Sequence, residues 1–366
     1  MTQRYLEPIN AIDMVPEEWP IAAPPADRMV APARTGGRDR LSTVRLDFFL
    51  DADQRLNEQE RAVMTAMLHG LVSDIADEIR AALPARSAVA NDEDNSELIA
   101  ELRASGLLDQ PRLIEVLLRR ADEEQITTAV KARNAGRDGR VLQTLVSDEN
   151  ASISAAAMAL ILARGRRRDR FGQPRLEFDD LPAETAVVLT QIVSAGLRHR
   201  LLVTLDNQDA DRQLAAASAA LLARHDESKR LEALAAALIR LLDEQGRLEE
   251  DFIAAAAGDG EAVLVAEALA RRAAIGGEDA FNLLLGGEGS SLMLLMRMAD
   301  VSRGLAARLL AGPGDLLEIA DAGRAIAGFD AITQQEVDSA LEWLRLDPSY
   351  RAALAALGQD DGQRTF

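Results

Sequence analysis

The chain has 366 residues, a formal net charge of −19, no cysteine and only 3% aromatic residues in a composition that is 48% hydrophobic. That charge repels phosphate backbones and anionic membranes, which disfavours a general nucleic-acid or membrane-surface role, and the lack of cysteine removes disulfides, thiolate nucleophiles and thiolate metal sites together. An interior assembled from Ala, Leu, Ile, Val and Met favours helices over strands.

In chain order, residues 1–37 are proline-rich and end in ARTGG, a composition that blocks helix and ladder hydrogen bonds and predicts a flexible segment. Its first twenty residues lack a basic start, an apolar core and a cleavage site. No run anywhere approaches the roughly 20 apolar residues of a membrane span, so the expected location is the cytoplasm. LDFFLDAD places Asp47 and Asp51 four apart, a spacing that fits either paired carboxylates or the acidic outer face of a helix.

LNEQERAVMTAMLHGLVSDIADEIRAAL, residues 56–83, has an N-cap in Asn57 and a capping-box partner in Glu60. Met64, Leu68, Leu71, Ile75, Ile79 and Ala82 then recur at helical spacing before Pro84 stops the run. A helix this long over 57–83 suits the edge of a domain or pairing with another chain, including a homodimer. Shorter helices follow from Ser96, from Pro111 over DQPRLIEVLLRRA, and over EEQITTAVKARNAG to Gly136. Residues 138–165 read as two helices joined by SDEN, an antiparallel pair of the HEAT-like kind. Beyond residue 181 come LPAETAVVLTQIVSAGLRHRLL, two alanine-rich helices split near HDES, and at least four short glycine-punctuated helices. Thr333 and Glu336 form another capping box.

The reading is an all-α, HEAT-like helical repeat array or superhelix. It divides into a flexible proline-rich segment (1–37), an N-terminal helical domain (38–165), a basic loop (166–180), a C-terminal helical domain (181–358) and a disordered tail (359–366). The stretch quoted above for residues 56–83, LPAETAVVLTQIVSAGLRHRL, and the run from DFIAAAAGDG through LLMRMADV resemble segments of a bacterial family catalogued as domain of unknown function 2336. The resemblance covers roughly residues 40–320. It implies a helical, HEAT-like architecture and carries no activity with it.

Chemistry is sparse. His69, His199 and His225 have no companions at metal-ligand spacing, and no G-x-S-x-G or Walker pattern occurs. GGEGSS at 286–291 is glycine-rich but lacks the lysine of a phosphate loop. The expectation is a protein without catalytic residues, cofactor or metal.

One stretch differs. ARGRRRDRFGQPR gathers Arg164, Arg166, Arg167, Arg168, Arg170 and Arg175 in an otherwise acidic chain, and Arg198, His199 and Arg200 could enlarge the patch. Arginine suits bidentate recognition of carboxylate or phosphate. Three readings stay open: a connector whose charge answers the acidic body, a dock for an acidic partner or a second copy, and a site for a phosphorylated ligand or nucleic acid. The expected function is therefore a non-catalytic scaffold or regulatory interaction module that binds another protein. The alternative is a sensor binding a nucleotide or other anion at the basic loop.

Overall fold

Apolar residues at spacings of three and four run through most of the chain, and helix is the regular structure they produce. The computed structural model describes residues 58–84, 95–134, 140–201, 206–285, 289–311 and 322–357. Asn57, Asp47, Asp51, Gly136, the glycines at 286 and 287, the proline-rich segment and the C-terminal tail lie outside them. The described residues form α1 (Glu58–Ala82), α2 (Ser96–Ala104), α3 (Pro111–Arg133), α4 (Val141–Val146), α5 (Ala151–Arg166), α6 (Ala183–Leu201), α7 (Asn207–Leu222) and α8 (Leu231–Glu244). They continue with α9 (Glu250–Gly258), α10 (Ala262–Ala273), α11 (Gly277–Leu285), α12 (Ser290–Met298), α13 (Arg303–Ala311), α14 (Ala322–Ala331), α15 (Gln334–Leu344) and α16 (Pro348–Ala356). Two one-turn 3-10 helices, Phe178–Asp180 and Glu227–Lys229, complete the set, with no strand among the described residues beyond an isolated bridge between Arg168 and Pro174. The protein is all-α.

Local signals account for the ends. Pro111 takes the first position of α3, where its missing N–H costs nothing. The Asn150 side chain accepts from the backbone N–H groups of Ser152 and Ile153 and so starts α5. Thr333 and Glu336 form the expected reciprocal capping box at α15. α1 ends just before Pro84, since proline disfavours helical geometry in the residue ahead of it.

The apolar stripe of α1 is used inside the chain as far as Ile79, and Ala82 at its end is exposed. Met64, Leu68, Leu71, Ile75 and Ile79 are buried, and α1 packs on α3, α6 and α7. The face that the sequence offers to a second chain is therefore covered by the protein's own helices.

Consecutive helices pack against each other at α4–α5, α6–α7, α9–α10, α10–α11, α11–α12 and α13–α14. Their buried residues fall into two apolar clusters. The first joins α1, α2, the first half of α3, α6 and α7; the second joins the far half of α3 with α4, α5 and the helices from α8 to α15. The clusters interleave along the chain: α4 and α5 leave the first core, and α6 and α7 return to it. This grouping differs from a division at residues 166–180. α3 belongs to both, through Leu113, Ile114 and Leu117 on one side and Ile126 and Val130 on the other.

DQPRLIEVLLRRA and EEQITTAVKARNAG read as separate helices in the sequence, yet α3 runs unbroken from Pro111 to Arg133. Arg119, Arg120, Asp122 and Glu123 are buried at its centre, where Arg120 pairs with Glu123 on the same helix and Arg119 approaches Glu278 on α11. Among the described residues, no helix is long and apolar enough to cross a membrane.

Candidate functional site

The arginine-rich stretch starts as helix. α5 runs through Arg166, so Arg164 and Arg166 occupy its last turn, where cations suit the negative end of the helix dipole. The chain then turns tightly. Asp169 Oδ1 accepts from the N–H groups of Phe171 and Gln173, both at 2.8 Å, and the Arg175 N–H donates to the Arg167 carbonyl at 2.8 Å. Gly172 sits at φ +78, a left-handed conformation that glycine adopts without a steric penalty. Leu176 and Leu181 anchor the far end in the first core. There the His225 ring lies 5.2 Å from that of Phe178, and its Nε2 is 3.0 Å from the Leu181 carbonyl.

Most of these arginines face carboxylates of the same chain. Arg164 pairs with Glu261 ahead of α10, and Arg167 with Asp180. Arg168 holds both oxygens of Glu124 on α3, at 2.6 and 2.7 Å. Arg175 reaches Asp74 on α1 at 2.7 Å. The connector thus straps α1, α3, α5 and α10 together.

The pairs differ in weight. Arg175 and Asp74 are each about 40% exposed, a setting in which ion pairs contribute about 0–1 kcal/mol. Arg167 and Asp180 are each only 6% exposed. Removing one partner of such a buried pair costs about 3–5 kcal/mol. Burial and the nearby Arg120 guanidinium hold Arg167 down to about 9, still cationic at neutral pH.

Arg166 and Arg170 are exposed, and the Arg170 guanidinium lies 4.7 Å from the centroid of the Phe171 ring, which is itself 71% exposed. Arg198, His199 and Arg200 are not drawn into this group. They occupy the last turn of α6, roughly 20 Å along that helix from its start after the connector. Arg198 pairs with Asp211 on α7 and Arg200 with Glu101 on α2, while His199 is exposed.

A second set of charges was not legible as a site. Where the two apolar cores meet, Arg119 lies 3.5 Å from Glu115 and 3.5 Å from Glu278, with its guanidinium 5.6 Å from the centroid of the Phe281 ring. Arg120 pairs with Glu123, and Arg230 approaches Glu278 at 3.5 Å and Glu232 at 3.8 Å. Burial pushes the Glu232 carboxyl up, but Arg120, Arg119 and Arg230 outweigh it and hold the group low. Glu267 goes the other way: burial, with Glu232 and Glu278 adding to it, raises its carboxyl to about 7 against the pull of Arg119. The available signal was RRADEE inside a run whose flanking apolar residues keep one helical period across it.

A carboxyl near 7 is in the range of acid–base catalysts, and this one sits within the electrostatic reach of Glu232, Glu278 and Arg119. Among the described residues, no three His, Cys, Asp or Glu side chains are placed to hold a metal ion. A shallow cavity of about 440 Å³ at the end of α2 is lined by Ala100, Arg103, Ala104, Gly106 and Asp109, with a single cation and a single carboxylate.

No curated protein and no solved structure matches the chain. Residues 100–342, well over half of its length, match a family described as an uncharacterised protein conserved in bacteria, DUF2336, and the chain belongs to that family.

Proposed function

We propose that the protein is a non-catalytic helical scaffold of the cytoplasm, whose stacked hairpins act in the HEAT-like manner by presenting helix faces to another protein. The observation that carries this reading is the outer face of α5. Met158 is 42% exposed and Leu162 58%, on a helix with no charged residue from Ala151 to Ala163. Exposed Arg166 closes the same helix, and exposed Arg170 and Phe171 follow it in the connector. An apolar face ending in cations, on a strongly acidic protein, has the makeup of a contact surface.

An anion-sensing role for the connector has less support. A nucleotide there would have to displace Glu261, Asp180, Glu124 and Asp74 from their arginines.

Affinity capture from native lysate with the wild type and with a Met158→Glu/Leu162→Glu variant tests the proposal. The expected result is one or more proteins held by the wild type and lost by the variant. An identical set of captured proteins removes this face from the account, and stabilisation by nucleotides in a thermal-shift screen favours the sensor instead.

A further inference from the structure

The outer face of α5 is asymmetric along its length in a way that matches its own reverse. Ala151, Ser152 and Ala155, at the start, are exposed and small; Met158 and Leu162, towards the end, are exposed and large. Exposed Glu149 stands just ahead of the helix, and exposed Arg166 closes its last turn. We infer that this face pairs with the same face of a second copy of the chain, the two helices antiparallel about a two-fold axis. The inference rests on the contact role proposed above and names its occupant.

Four features converge on that geometry. An axis passing α5 between Ala157 and Met158 sets Glu149 of each copy opposite Arg166 of the other, with the two charges of one copy about 25 Å apart along the helix. The same axis lays Leu162 of one copy over Ser152 and Ala155 of the other, so large side chains fill the space left by small ones. A parallel arrangement would instead set Arg166 against Arg166 and Leu162 against Leu162. Finally, a two-fold contact uses one patch twice, so a self-complementary face closes the assembly at two copies.

The contact is small, one helix face, and small interfaces are weak. The net charge of −19 on each copy opposes association further. The dimer therefore forms reversibly at micromolar concentrations.

Sedimentation velocity on the full chain from 1 to 200 µM tests this. The wild type shifts from monomer to dimer across the range, and Met158→Glu/Leu162→Glu weakens association at least tenfold with an unchanged circular dichroism spectrum and melting temperature. Glu149→Arg and Arg166→Glu each weaken it, and the double variant, which re-forms both pairs with reversed sign, recovers most of the loss. A wild type that stays monomeric at 200 µM overturns the inference, as does a dimer indifferent to the apolar changes or a double variant no better than the singles. A monomeric wild type that still captures a partner through Met158 and Leu162 ends self-pairing while leaving the scaffold role standing. A dimer that behaves as described while no other protein is captured leaves the second copy as the partner.

Discussion

Burial raises Glu267 from 4.5 to about 7, and its carboxyl occupies the space a Cβ on Gly277 would need. Between those two values the folded protein holds a proton that the unfolded chain has released. The stabilisation from this group is complete below pH 4.5 and is lost as pH rises through 7. Glu267→Gln removes the titration and keeps the shape. Melting temperatures measured from pH 5 to pH 8 should fall less steeply in the variant. At pH 8 the variant should be the more stable protein, by an amount on the order of 3 kcal/mol. Parallel curves for the two proteins would show that Glu267 is not held neutral. Nothing in the local sequence marks this residue, because the glutamates that repel its charge lie 35 positions before it and 11 after it.

At the scale of elements, Gly196 sets the spacing of α6 against α2. A Cβ there would come within 2.5 Å of Leu98 Cδ1 and 3.2 Å of Leu102 Cδ2, and both leucines are buried in the first core. Gly196→Ala improves helix propensity by up to about 1 kcal/mol but overpacks a filled core, which costs about 1–3 kcal/mol. The net change expected in chemical denaturation is a loss of stability; a gain would mean that α2 moves aside freely. Helix identity was readable at this scale: α2 starts at Ser96, the α4–α5 turn falls at SDEN, and the Thr333 box caps α15, all where local side chains indicate. α3 reads as two helices in the sequence because a run of charges in isolation resembles solvent-exposed chain. Only the facing Glu278 and Phe281 and the clustered charges of the neighbouring helices make it interior.

For the whole molecule, α3 threads both apolar cores and the buried charges bind them at their junction, so the two should open together. Leu117 lies entirely in the first core. Leu117→Ala should cost about 2–5 kcal/mol and lower native-state hydrogen-exchange protection in α10, in the second core, as well as in α1. Protection in α10 that stays at the wild-type level would mean that the cores open independently.

Caps, prolines and apolar periods act over a few residues, so the sequence by itself determined that this chain is helical, where most of its helices begin and end, and that arginines concentrate around residue 167. Tertiary structure alone decided that α6 and α7 return to the first core, that the α1 stripe is covered internally as far as Ile79, and that Arg164, Arg167, Arg168 and Arg175 meet carboxylates while Arg166 and Arg170 stay exposed. The reason is one of range: a side chain's exposure and partner are set by whichever element packs opposite it, and here that element is as far away in sequence as Asp74 is from Arg175.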